Sequence, residues 1–159
     1  MGRKSIWKTI KLGTFKNAAE LLGALRAAGY EVSDWARDLL NNTRIVNKKT
    51  KVDLVFKTLD DLGLGEYGVS YEQITARALK LGYQPCPAEV GPQLRLQYKD
   101  QPVGEVLIIV METTCGSSGV SAVFSIERDS DSLQLDARYR NPDGLWHSYP
   151  RFVFVCPRR

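Results

Sequence analysis

The segment that most constrains the fold is residues 105–112, whose interior is apolar on both faces. A strand without a polar face needs cover on both sides, which predicts a central position in a sheet. Residues 94–98 and 122–126 alternate apolar and polar side chains, with the period of two that is typical of strands with one buried face. We therefore predict that these two segments are strands that flank residues 105–112.

Two further segments extend this predicted sheet. Residues 133–139 alternate in the same way, and the apolar residues 152–156 are predicted to close the sheet. Turn-forming residues occupy 129–132 and 141–144, where Asp, Asn, Pro and Gly provide the backbone angles of tight turns. Because strands with such short connections are antiparallel neighbours, residues 93–156 are predicted to form an antiparallel β-meander of about five strands.

The first half of the chain carries helix signals. Asn17 has the side chain of a helix N-cap, an apolar helical pattern follows it, and Gly29 is typical of a helix end, so residues 18–28 are predicted to be helical. Further helices are predicted after Ser33 and after Ser70. Helices followed by strands predict an α+β fold, in which N-terminal helices pack on the C-terminal meander.

Length and composition fit one globular domain. The chain has 159 residues, 43% hydrophobic and 25% charged, which are ordinary values for a folded domain. We predict a single α+β domain over residues 1–159, with a mainly helical half at 1–83 and a β-meander half at 93–156. The longest apolar run, residues 106–111, is far shorter than the roughly 20 residues of a membrane-spanning helix, so no membrane partner is expected.

Cysteine and histidine usage predicts a cytoplasmic chain without a metal. The three cysteines, Cys86, Cys115 and Cys156, are too few and too scattered for a disulfide scaffold, which favours a reducing compartment. The chain has one histidine and no Cys-x-x-Cys pair, so a zinc site is not expected. No motif indicates a cofactor, and the sequence sets no oligomeric state.

Charge is unevenly distributed along the chain. Residues 1–51 carry a net charge of +7, whereas residues 52–159 carry −3. A positive field raises the rate of encounter with polyanions, which favours a non-catalytic binding module for nucleic acid. The candidate binding residues are Lys8, Lys11, Lys16, Arg44, Lys48, Lys49 and Lys51. A protein partner, or a basic surface that only contacts solvent, are the alternative interpretations.

A small RNase-like hydrolase is the catalytic alternative. The candidate residues lie on or beside the predicted meander strands and are His147, Glu112, Arg128 and Arg138. A carboxylate and an imidazole can act as general base and acid, and arginines can hold a phosphate. No local motif assigns these residues to a reaction.

Part of the chain resembles a known group of sequences. The stretch CPAEVGPQLRLQY at residues 86–98, followed by residues 104–112, is similar to a segment of a family of small uncharacterised bacterial proteins. Residues 7–14 and 152–155 look similar too, so the resemblance spans most of the chain. It implies a bacterial, single-domain protein and implies no activity, cofactor or partner.

Overall fold

The computed structural model describes residues 5–65, 67–112, 114–117, 119, 121–139, 146–147 and 150–158. Its helices are α1 (Ala18–Ala27), α2 (Asp34–Asn41), α3 (Tyr71–Lys80) and α4 (Val90–Gln97). The strands of the first half are β1 (Lys8–Leu12), β2 (Glu31–Val32), β3 (Thr50–Lys57) and β4 (Tyr67–Val69). Those of the second half are β5 (Val106–Ile109), β6 (Thr114–Cys115), β7 (Ser121–Arg128), β8 (Leu133–Tyr139), β9 (Trp146–His147) and β10 (Arg151–Val155).

The first three helices begin at the residues that the sequence predicts. The side chain of Asn17 accepts a hydrogen bond from the backbone N–H of Glu20 at 2.9 Å, and Ser33 caps α2 in the same way. Ser70 and Gln73 form a reciprocal capping box at the start of α3. These side chains satisfy backbone donors that the first helical turn leaves without partners. The three predicted helices are therefore confirmed.

The strands form a large mixed sheet and a small second one. The large sheet has the order β1-β3-β10-β5-β7-β8-β2, and β6 also pairs with β7; β4 pairs with β9 separately. β5 lies in the middle and β7 is its antiparallel neighbour, as predicted. β10 is parallel to β5, and β2 is parallel to β8. The prediction of mixed α and β structure is confirmed, but the five-stranded antiparallel meander is wrong.

The position of β10 is the first reason for that correction. The sequence predicts that residues 152–156 close the sheet, whereas β10 lies inside it, between β3 and β5. Phe152, Val153 and Phe154 are fully buried because both faces of the strand are covered. A parallel neighbour requires a crossover connection, so β10 reaches its place after the chain has passed through β7 and β8.

The second correction concerns residues 94–98, which are predicted to be a strand and fall instead at the end of α4. Pro92 lies in the first turn of this helix, where its missing N–H has no intrahelical partner to lose. Residues 90–95 are all buried, so the helix has no polar stripe to mark it in the sequence. α4 packs against β1, β7, β8 and α1.

The predicted turn at residues 129–132 is present. The carboxylate of Asp129 accepts hydrogen bonds from the backbone N–H groups of Asp131 and Ser132, both at 2.8 Å. This arrangement is an Asx-type turn, in which an aspartate side chain replaces a backbone acceptor. The turn predicted at residues 141–144 lies outside the described residues.

Arg95 of α4 is fully buried and binds several parts of the fold at once. One terminal nitrogen, Nη2, donates to the carbonyl of Tyr98 at 2.6 Å, and Nη1 donates to Oε1 of Gln101 at 2.6 Å. Nη1 also donates to the carbonyls of Glu127 in β7 and Gln134 in β8. Burial lowers the pKa of Arg95 to about 10, so the guanidinium remains charged at neutral pH. It therefore ties α4 to the strands that it covers.

We expect Arg95→Met to destabilise the fold by about 2–4 kcal/mol, because buried acceptors lose their donors. Arg128→Met is the control, since the Arg128 side chain donates a single hydrogen bond among the described residues, to the carbonyl of Gln101 at 2.9 Å, and is only half-buried. That control should cost about 1 kcal/mol. Urea unfolding measures both, and equal losses would contradict the role of Arg95.

Two helical glycines should respond in opposite ways to alanine. A Cβ at Gly91 in α4 would lie 2.6 Å from Phe124 of β7, whereas a Cβ at Gly23 in α1 would meet nothing within 4 Å. We expect Gly23→Ala to stabilise the protein by about 0.5–1 kcal/mol through helix propensity. Gly91→Ala should destabilise it by about 1–3 kcal/mol through overpacking. Thermal unfolding of both variants measures the signs, and stabilisation by Gly91→Ala would disprove the close helix–sheet contact.

Candidate nucleic-acid interface

Pairing of β1 with β3 brings the two basic segments of the sequence together. Lys11 lies directly opposite Lys51 in this antiparallel pair. Both side chains are exposed, and directly opposite residues share one face of a sheet. Two positive charges that are forty positions apart in the sequence thus become neighbours.

The hydrogen bonds of the Gln97 side chain identify which kind of strand pair Lys11 and Lys51 form, and hence how close their side chains are. Its amide accepts from the backbone N–H of Lys11 at 3.0 Å and donates to the carbonyl of Lys11 at 2.9 Å. The backbone groups of Lys11 therefore face away from β3, which makes Lys11 and Lys51 a non-hydrogen-bonded pair. In such pairs the Cβ atoms are about 4.5–5.5 Å apart. Like charges at this distance destabilise a sheet.

A buried carboxylate fixes the loops that carry the other cations. Glu89 is fully buried at the start of α4, and its two oxygens accept from the backbone N–H groups of Gly13 at 2.8 Å and Val46 at 2.7 Å. Gly13 has a φ of 73° and lies against the carbonyl of Lys48, where no side chain would fit. The loop after β1 and the loop before β3 are thereby held in contact.

Asp53, two residues after Lys51 on β3, already has a cation as its partner. Asp53 of β3 accepts from Arg158 at 2.9 and 3.1 Å and from the hydroxyl of Thr9 at 2.7 Å. The hydrogen bonds from Arg158, followed by that from Thr9, hold the pKa of Asp53 below its usual value. Asp53 therefore stays ionised, and Arg158 already compensates its charge.

We define the basic surface as Lys11, Arg44, Lys48, Lys49 and Lys51, all of which are exposed. None of the ion pairs between described residues involves them. Their positive charge is therefore not compensated by ion pairs within the described chain.

The remaining two predicted binding residues have other surroundings. Lys16 is exposed, but Glu20 accepts from its backbone N–H at 3.0 Å, so an acid lies beside it. Lys8 is half-buried, with its ammonium 5.0 Å from the ring of Tyr98 and 5.7 Å from that of Trp7. Cation–π contacts of this kind favour the bound position of the ammonium, so Lys8 contributes less to the exposed field.

A cleft of about 1220 Å³ adjoins the basic surface. One wall is formed by residues 44–47, which directly precede Lys48, and another by residues 84–88. Arg44 and Glu112 line the same cleft. Cys86 also lines it, but this thiol is buried and donates to the carbonyl of Val153, and burial raises the pKa of the Cys86 thiol. Cys86 is therefore unsuited to act as a thiolate.

The four catalytic candidates do not all converge on this cleft. Glu112 lines it, whereas Arg138 pairs with Glu127 at 3.0 Å on β7 and β8. Arg128 lies at the other end of β5, because Glu127 pairs with Val106, the first residue of that strand. At about 3.3 Å per extended residue, the six positions from Val106 to Glu112 span up to about 20 Å, so Arg128 and Glu112 lie well apart.

His147 belongs to β9, where it pairs with Tyr67, and its side chain lies outside what the structure describes.

Two further observations apply to the described residues. No group of three or more His, Cys, Asp or Glu side chains there is arranged to hold a metal ion. None of the helices there is long and apolar enough to cross a membrane.

Sequence reasoning finds the cations of this site and misses what positions them. Glu89 and Gln97 lie in residues 86–98, the second half of which is predicted to be a strand. The signal available in the sequence was Glu89, an acid directly before apolar Val90. A carboxylate that is buried among apolar residues needs several hydrogen-bond donors, so it indicates contacts with other segments. The cleft has no local signal, because its walls meet only in the folded chain.

We expect Lys51→Glu to stabilise the protein, because it replaces the repulsion of Lys11 by an attractive cross-strand pair. The free energy of unfolding should rise by about 0.2–1 kcal/mol at low ionic strength and less in high salt. Lys49→Glu is the control, since Lys49 has no partner across a strand and makes the same charge change. Chemical unfolding at two salt concentrations measures both. Equal stabilisation would mean that only net charge matters.

Comparisons with known proteins gave no match to this chain among family models, curated proteins or solved structures. The resemblance of residues 86–98 to a bacterial family stays a prediction.

Proposed function

We propose that this protein is a non-catalytic binding module for a polyanion, with nucleic acid as the ligand. The observation that carries the proposal is the direct pairing of Lys11 and Lys51. This arrangement costs stability in the free protein, and Asp53, two residues along β3 from Lys51, is bound to Arg158. A surface that keeps such a cost is expected to recover it when phosphates lie between the lysines.

The physical basis of the affinity is charge neutralisation. Each phosphate that a lysine or arginine contacts releases condensed counterions, so binding weakens as salt rises. Arg44, Lys48 and Lys49 extend the field of the paired lysines to the cleft. The basic surface lies on backbone held by Glu89, so little ordering of the protein is required on binding.

The RNase-like hydrolase remains the second candidate because Glu112 and Arg44 line one cleft. A carboxylate can act as a general base, and a guanidinium can hold a phosphate. Arg128 and Arg138 make their described contacts elsewhere, which favours binding over catalysis.

Charge reversal on the basic loop should abolish most of the binding. We expect the wild-type protein to bind a short fluorescein-labelled RNA at low salt, with affinity falling steeply as salt rises. Lys48→Glu/Lys49→Glu should weaken binding about tenfold or more and make the salt slope shallower by about 1.4, at roughly 0.7 per contact with a single strand. Fluorescence anisotropy across a salt series measures both quantities.

The control is Arg26→Glu/Arg37→Glu, which changes the net charge equally at two exposed positions away from the site. Arg26 lies beside β2, at the other end of the sheet, and Arg37 lies near the start of α2, the helix that follows β2. Equal losses in both double variants, or no binding at low salt, would overturn the proposal. Electrophoresis of the RNA after incubation tests the second candidate, since cleavage that Glu112→Gln abolishes would establish a hydrolase.

A further inference from the structure

The cations of the basic surface occupy both sides of the sheet at β1 and β3. Lys11 and Lys51 share one face, and successive residues of a strand point to opposite faces, so Val52 lies on the other face, where it lines the cleft. Arg44 lines that cleft too, and the loop with Lys48 and Lys49 joins the two sides. Positive charge therefore follows a path around the end of the sheet.

The cleft offers surfaces that suit nucleobases. Ile45, Pro85 and Pro87 provide apolar wall, and the exposed amides of Asn47 and Gln84 provide donors and acceptors. Its volume of about 1220 Å³ is ample for one or more nucleobases. Asn and Gln side chains form paired hydrogen bonds with the edges of bases.

We infer that the ligand is single-stranded nucleic acid, with its backbone along the cationic path and one or more bases in the cleft. This inference rests on the proposed binding function and specifies the ligand. A duplex keeps its bases stacked inside and is stiff over about 50 nm, so it contacts one side of the sheet only. A single strand bends around the loop and presents unstacked bases to the cleft.

The test compares three probes of similar charge: a labelled single-stranded RNA, a labelled duplex and inorganic polyphosphate as competitor. We expect the single strand to bind about tenfold or more tightly than the duplex. Asn47→Ala/Gln84→Ala removes the two amides without changing any charge. It should weaken binding of the single strand about fivefold and leave the inhibition constant of polyphosphate unchanged.

The outcomes separate this inference from the function on which it rests. Selective loss of single-strand affinity in the amide variant, with polyphosphate competition unchanged, supports bases in the cleft. Equal affinity for single strand and duplex, with no effect of the amide variant, overturns the inference and leaves a general polyanion module. Lys48→Glu/Lys49→Glu tests the underlying binding function, since it should weaken the binding of all three probes. If none of the three probes binds to the protein, both proposals are overturned.

Discussion

The buried guanidinium of Arg95 is the interaction on which the rest of the structure depends. Arg95 is a residue of α4, and its guanidinium donates hydrogen bonds to backbone and side-chain oxygens of the following loop and to backbone oxygens of β7 and β8. A buried cation that hydrogen-bonds in several directions fixes the helix in both position and rotation. α4 in turn carries Glu89, whose carboxylate holds the loops of the basic surface, and Gln97, which binds β1. The candidate site therefore depends on a charge that no solvent reaches.

The features that the sequence predicts correctly all have local causes. Asn17, Ser33 and Ser70 begin helices because each side chain bonds to the N–H group three residues later. Residues 105–112 are central because apolar side chains on both faces need cover. The same criterion applied to residues 152–156 would have predicted an interior strand, but their place at the end of the chain suggested the border of the sheet. Residues 94–98 alternate like a strand, and the burial of residues 90–95 removes the polar stripe that would mark an amphipathic helix.

The candidate site is predictable only in part, because it depends on contacts between distant segments. The excess of lysine and arginine in the first third of the chain is visible in the sequence. Lys11 lies opposite Lys51 only in the observed register between β1 and β3. A shift of one residue would place the two side chains on opposite faces of the sheet. The two walls of the cleft are likewise some forty positions apart. Composition predicts the kind of ligand, and long-range pairing decides where it binds.

The two hydrogen bonds between Gln97 and the backbone of Lys11 have a consequence for self-association. A border strand offers free N–H and C=O groups to any extended chain, which is a common route to aggregation. The amide of Gln97 carries the same donor and acceptor as a peptide group, and it occupies both groups of Lys11 as a neighbouring strand would. β2, at the other border, has only two residues. Strand addition to β1 is thus blocked at Lys11, and its lysine side chain stays free for other ligands.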